Sequence, residues 1–319
     1  MRKPIAVIAI GGNALIKDND HISASDQYAT VHETAQHIAR LINAGWRIAI
    51  AHGNGPQVGF ALRRSELAAQ ELPQEPLDVC GADTQGWIGY YLQQNLRNSL
   101  RQIGSSAEPV TLITQVEVDP SDPAFQNPSK PIGAFMSREE AMRRQEMGWA
   151  VIEDAGRGWR RVVPSPAPKR IVEEHTIVEL IQSGAVVITV GGGGIPVVSD
   201  DHGDLHGVAA VIDKDLSAAL LATAIGADAL LISTGVEKVA LNFGQPDQIW
   251  LEHLTLAQAK QYLATGTHFA KGSMAPKIEA AVRYLELGGA RTIITNTENL
   301  WRAVVGQTGT HITRERNGQ

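Results

Sequence analysis

Two lysines, Lys214 and Lys277, stand where a lysine is out of place. Lys214 lies in VIDKDLS with Asp213 and Asp215 on either side, and Lys277 lies in GSMAPKIEA, just inside a helix expected to begin near Met274. A lone lysine is ordinarily a solvated surface residue, but each of these interrupts an apolar or Gly/Pro-rich stretch at the start of an element. Cations in such places could neutralise a migrating phosphoryl group, a chemistry that needs charge and in-line positioning more than covalent steps. Two lysines and a magnesium ion would supply that charge. Asp215 could pair with both lysines and keep their ammonium ends aimed.

Three glycine loops could provide the rest of such a site: Gly11, Gly12 and Asn13; HGNGPQVG, with Gly53, Asn54 and Gly55; and the four glycines of TVGGGGIPVV. Glycine weakens a strand or helix by about 0.5–1 kcal/mol relative to alanine, so four together imply a need for bare backbone. Bare amides can approach a phosphate closely, and a following helix N-terminus adds a favourable dipole. A tight strand-to-helix turn is the alternative for any single loop, but three after three strands favour an anion site. A dinucleotide fingerprint is absent, since Pro196 and Val58 stand where third glycines belong, and no Walker loop occurs.

These loops must be positioned by the elements around them. Ile5 to Ile10 reads as a buried strand, and a helix from about Asp26 carries Val31, Ala35, Ile38 and Ile42 at helical spacing until Gly45. WRIAIA and AVVITV read as strands entering the second and third loops. Beyond them DKDLSAALLATAIGA reads as a helix, DALLIS as a strand, MAPKIEAAVRYLELGG as a helix and ARTIITN as a strand. Strands alternating with helices predict an α/β fold with a mostly parallel sheet covered on both faces. Ligands in such a sheet sit at the carboxyl ends of the strands, where all three loops fall. The rhythm breaks between Glu117 and Pro168, where seven prolines bracket the short charged helix REEAMRRQEMGW. This predicts an inserted lobe with stiff edges that could cap a site.

Bulk properties narrow the class. The 319 residues, 43% hydrophobic with formal charge -6, suit a sizeable globular core. The acidic balance, without any basic block, argues against nucleic acid as a partner. No run approaches the ~18 apolar residues of a membrane span, and Ile5 to Ile10 is too short for a signal-peptide core. With one cysteine, Cys80, no intrachain disulfide can form, and a reducing, cytoplasmic setting is expected. Cys80 reads as a buried small hydrophobe. His202 and His206 in DDHGDLHG are four apart, but Gly203 favours a loop over a helix, and no metal ligand is assigned.

As a set, AIGGNAL, HGNGPQVG, CGADTQGWIGYYLQ, NPSKPIGAF, EDAGRGWRRVVPSP, GGGGIPVV, AVIDKDLSAALLA and GSMAPKIEAAV resemble the amino-acid kinase superfamily and, within it, the carbamate kinases. The resemblance covers nearly the whole chain. It implies a single domain over 1–319, a three-layer α/β/α sandwich with an acceptor-binding half at 1–210, including the lobe 117–168, and a nucleotide-binding half at 211–319. It also implies a homodimer and reversible phosphoryl transfer between ATP and carbamate with magnesium, running toward ATP. By motif, Gly11, Gly12, Asn13, Gly53, Asn54 and Gly55 would form the acceptor and phosphoryl site. Lys214 and Lys277 would grip the migrating group, Asp215 would organise them, and Lys130 would reach from the lobe over the small substrate. The nucleotide would lie near Ser233, Thr234, Gly235 and Met274.

The sequence departs from the family's usual residues at Asp83, Ala209, Glu237 and Lys271. Two alternatives therefore stay open: a related kinase acting on another small carboxylate, and a catalytically silent nucleotide-binding sensor. Retention of Lys214, Asp215 and Lys277 weighs against the sensor.

Overall fold

The computed structural model describes residues 2–17, 21–154, 158–270 and 272–315, and of Asn13 the backbone only. Lys271 and part of the EDAGRGWRRVVPSP motif lie outside the described residues. The centre is an eight-stranded sheet in the spatial order His253–Thr255, Thr310–Thr313, Arg291–Thr295, Ala229–Ser233, Ile5–Ile10, Arg47–His52, Val186–Ile188, Pro109–Thr111. Six of these strands run parallel, and the two at the first edge run antiparallel to them.

Side-chain alternation along Ile5–Ile10 splits the core into two layers. Val7 and Ala9 pack with Ile177, Ile181, Leu221 and Ile278, from the helices Glu174–Ser183, Lys214–Ala224 and Met274–Glu286. Ala6, Ile8 and Ile10 pack instead with Val31 and Ile38 of Ala24–Asn43 and with Ile88, Leu92 and Leu96 of Leu77–Gln102. Helices on both faces explain why the central strand is a continuous apolar run. The N-terminal helix begins where Ser23 and Asp26 form a capping box and ends before Gly45, whose φ of 94° suits glycine.

Register aligns the strand ends that matter. Ile10 lies beside His52, and Ala9 beside Ile232, so Gly11, Gly53 and Thr234 all leave the sheet at one edge. The third expected strand is shorter than AVVITV, covering Val186–Ile188, because the chain turns at Val190, whose φ is 43°.

The four glycines turn out to be a packing requirement. Gly191–Gly193 form one tight helical turn, with φ of 66° at Gly192 and 93° at Gly193 and Gly194. A Cβ on Gly191 would lie 2.4 Å from His52 Nε2, on Gly192 2.2 Å from Asn54 Nδ2, on Gly193 2.4 Å from the Ile212 carbonyl oxygen, and on Gly194 2.2 Å from Val116 Cγ2. Only bare backbone fits between these neighbours at these angles.

Between Gln115–Val118 and Pro168–Ile171, which pair antiparallel, the chain builds a three-stranded antiparallel sheet from Lys130–Met136, Trp159–Val163 and Val151–Glu153, with the helix Arg138–Glu146. This sheet packs on the helix Gly55–Ala68 so closely that a Cβ on Gly59 would fall 2.1 Å from Gly133 Cα. The segment with His202 and His206 is a turn followed by the strand Leu205–Gly207, with His206 against Asp200 at 3.0 Å, and it is not helical.

Candidate active site

A polar cavity of about 340 Å³ opens at the sheet edge where the loops leave. Its walls include Gly11, Gly12, Ser233, Thr234 and Gly235, and the charged side chains of Lys130, Asp213, Lys214, Asp215 and Lys277 project into it. Lys214 opens its helix, with Asp213 as the N-cap, and Lys277 lies one turn inside the helix Met274–Glu286.

The charges are organised around two carboxylates. Lys214 donates to Asp215 Oδ1 at 2.7 Å, and Lys277 to Asp215 Oδ2 at 2.9 Å. Lys130 donates to Asp213 Oδ2 at 2.5 Å. The Asp215 side chain is 3% exposed, and those of the two lysines it holds are 12% exposed. Among the described residues, three ammonium groups against two carboxylates leave one uncompensated positive charge facing the cavity, which suits it to an anion.

Burial pushes the Lys214 ammonium down to about 8, although Asp215 pulls the other way. Burial also opposes the charged form of Lys277, but Asp215 outweighs it and holds Lys277 above the ordinary lysine value. For both carboxylates burial works against ionisation and the neighbouring lysines overcome it, so Asp213 and Asp215 lie below the usual range. His52, buried beneath the glycine turn, is pushed down to about 4 and is neutral. Burial and the nearby Asp83 raise the Cys80 thiol to about 11, which leaves it unreactive.

Not every expected residue faces the cavity. Gly53 lies against the stem of Lys214, its hypothetical Cβ 3.2 Å from Lys214 Cδ. Asn54 is buried at the N-cap position of the helix Gly55–Ala68, where its side chain makes no capping bond and its Nδ2 donates instead to Thr84 Oγ1 at 2.9 Å. Gly55 packs towards Pro131 and Arg160. Gly11 and Gly12 do line the cavity, whereas the glycine run at 191–194 is not part of its lining. The Ser233 hydroxyl is shared with Thr297 at 2.7 Å.

A second cavity, of about 220 Å³ and mostly apolar, adjoins the first through Thr234, Gly235 and Ser273. Met274 lines it, together with Val236, Phe243, His268 and Phe269. Sequence reasoning missed these last four, because they come from separate loops with no shared periodicity. Asn242 adopts φ of 52° beside Phe243, and its carboxamide bridges Asp247 at 2.6 Å and His268 at 2.8 Å.

An edge-loop anion cavity beside an apolar one, on a largely parallel sheet, defines a phosphoryl-handling α/β protein. Residues 4–296 match the model of the amino acid kinase family, and the chain belongs to that family. Among its relatives, the carbamate kinase-like protein YahI of Escherichia coli is 52% identical over 97% of this chain and 99% of its own length. The carbamate kinase of Thermococcus kodakarensis is 48% identical, with the same coverage of each chain. The solved structure of Giardia lamblia carbamate kinase bound to AMP-PNP superposes with a TM-score of 0.87 at 40% identity, over 98% of this chain and 99% of that one.

Proposed function

We propose that the protein is a carbamate kinase, interconverting ATP plus carbamate with ADP plus carbamoyl phosphate and working toward ATP. The observation that carries this reading is the pair of lysines on one buried carboxylate, Asp215, in a cavity whose described residues carry one excess positive charge. Relatives bearing the name carbamate kinase support it over nearly the full length.

In this reading the adenine of the nucleotide occupies the apolar cavity and its phosphates enter the polar one past Thr234 and Gly235. An oxygen of the ADP β-phosphate attacks phosphorus, the bond from phosphorus to the carbamate oxygen breaks, and carbamate leaves as an anion. No proton has to move, so no general base is needed. The obstacle is repulsion between anions, which the ammonium groups of Lys214 and Lys277 relieve as charge shifts in the transition state. Lys130 covers the carbamoyl group from the lobe, and the amides of Gly11 and Gly12 border the phosphoryl position. Residues 1–210 thus serve the acceptor and 211–319 the nucleotide.

Magnesium is expected as cofactor. The cavity's own residues do not fit a protein-held ion: both carboxylates are taken by lysines, and no group of three metal-ligating side chains occurs among the described residues. The ion would arrive on the nucleotide's phosphates. No helix among the described residues is long and apolar enough to cross a membrane, and the lone cysteine supports a cytoplasmic setting. Pairing into a homodimer rests on the resemblance alone.

The test is ATP formation from ADP, magnesium and carbamoyl phosphate by the purified protein, with Lys277→Ala alongside. Rapid turnover lost in the variant is the expected result. A second reading, phosphorylation of another small carboxylate, draws on the likeness to a protein named only carbamate kinase-like, and on the departures at Asp83, Ala209 and Glu237. Bound ADP without turnover would favour it, or a catalytically silent nucleotide-binding sensor.

A further inference from the structure

We propose that Asp213 is the positioning residue that keys Lys130 of the lobe to the helix bearing Lys214 and Asp215. This rests on the reading above that Lys130 engages the small substrate. Asp213 divides its oxygens between two tasks. Oδ1 accepts from the backbone amides of Asp215 at 2.9 Å and Leu216 at 3.4 Å, capping the helix. Oδ2 accepts from Lys130 Nζ at 2.5 Å, across 83 positions of chain.

The two oxygens of a carboxylate are rigidly related, so fixing one on the helix fixes where the other can hold an ammonium group. The backbone of Lys130 is set by the lobe sheet, where it lies opposite Val163. Its four-carbon stem would otherwise leave the charge free to wander among rotamers. Held by Asp213, the charge stands in the same cavity as Lys214 and Lys277. A second link ties the same segment to the lobe, the Val211 amide donating to the Pro164 carbonyl at 2.9 Å. The pair is well screened from water, with Lys130 26% and Asp213 15% exposed, so the link is stronger than a surface ion pair. Lys130 is thereby presented to the small substrate in place, without an ordering cost at binding.

The test is a double-variant cycle on the full chain with ADP and carbamoyl phosphate. Asp213→Asn keeps a carbonyl oxygen for the cap and removes the charge that holds Lys130. It should raise KM for carbamoyl phosphate about tenfold and leave KM for ADP within about twofold. Lys130→Ala should do the same, and the double variant should be no worse than Lys130→Ala alone, because both remove one interaction. Calorimetric binding of carbamoyl phosphate without ADP should show the same pattern. Should Asp213→Asn fail to fold, Asp213→Ser still caps the helix and takes its place. Effects that multiply in the double variant overturn the proposal, as does normal KM in Asp213→Asn beside an impaired Lys130→Ala. Normal KM in Lys130→Ala overturns the substrate role of Lys130 itself, and the proposal with it.

Discussion

Lys214 and Lys277 hold opposite oxygens of the same buried carboxylate, Asp215, at 2.7 and 2.9 Å. One lysine opens a helix and the other lies one turn into a second helix, so the carboxylate joins two elements as well as two charges.

Removing that carboxylate should cost both stability and catalysis. Asp215→Ala leaves two buried ammonium groups without their partner, and loss of one member of a buried ion pair typically costs about 3–5 kcal/mol. Urea unfolding of the variant should show a loss of that order, with turnover reduced by more than about a thousandfold if aim and charge are both lost. A fully stable Asp215→Ala would contradict the buried network.

The pH dependence follows from Lys214, whose ammonium group is lowered to about 8. As pH rises through 8 the unliganded protein loses that charge, so kcat/KM should fall on the alkaline side. Lys214→Arg keeps its charge throughout and should show no such limb, even if slower. Stability has the opposite sign. Between about 8 and the ordinary lysine value of about 10.4, the unfolded chain binds more protons than the folded one, so this group makes stability rise with pH. Unfolding midpoints of the native protein and Lys214→Met across that window measure it directly.

Phe243 stands 62% exposed at the mouth of the apolar cavity, with its ring edge-on to Trp250 at 6.1 Å. If a purine base enters there, covering the ring removes apolar area from water. Phe243→Ala should then raise KM for ADP by about tenfold with kcat nearly unchanged. An unaltered KM for ADP places the base elsewhere.

The glycine turn is predicted to be intolerant for reasons of packing. Gly192→Ala sets a Cβ 2.2 Å from Asn54 Nδ2 at a φ of 66°, so strain and clash combine. A loss of more than about 2 kcal/mol is expected on thermal unfolding. Wild-type stability in this variant would falsify the packing account of the four glycines.

Local patterns made much of this molecule legible. The continuous apolar run of Ile5–Ile10, the helical spacing of Val31, Ala35 and Ile38, and the Gly45 stop each depend on near neighbours in the chain, so they can be read without the fold. Lys214, Asp215 and Lys277 were conspicuous for the same reason, as charges interrupting apolar or Gly/Pro-rich surroundings. The grip of Asp213 on Lys130 was not legible, since it joins positions 83 apart through side chains alone. The apolar cavity of Val236, Phe243, His268 and Phe269 was equally hidden, being assembled from loops that meet only once the sheet has formed.

The run at 191–194 marks where the two kinds of information divide. By itself the sequence determined that bare backbone was required there, because four consecutive glycines weaken any strand or helix they occupy. Only the tertiary structure decided why: His52, Asn54, Ile212 and Val116 close in from four different segments and leave no room for a Cβ. Conformational preference is a property of the residue and its neighbours, whereas close contact is a property of whatever the fold brings alongside.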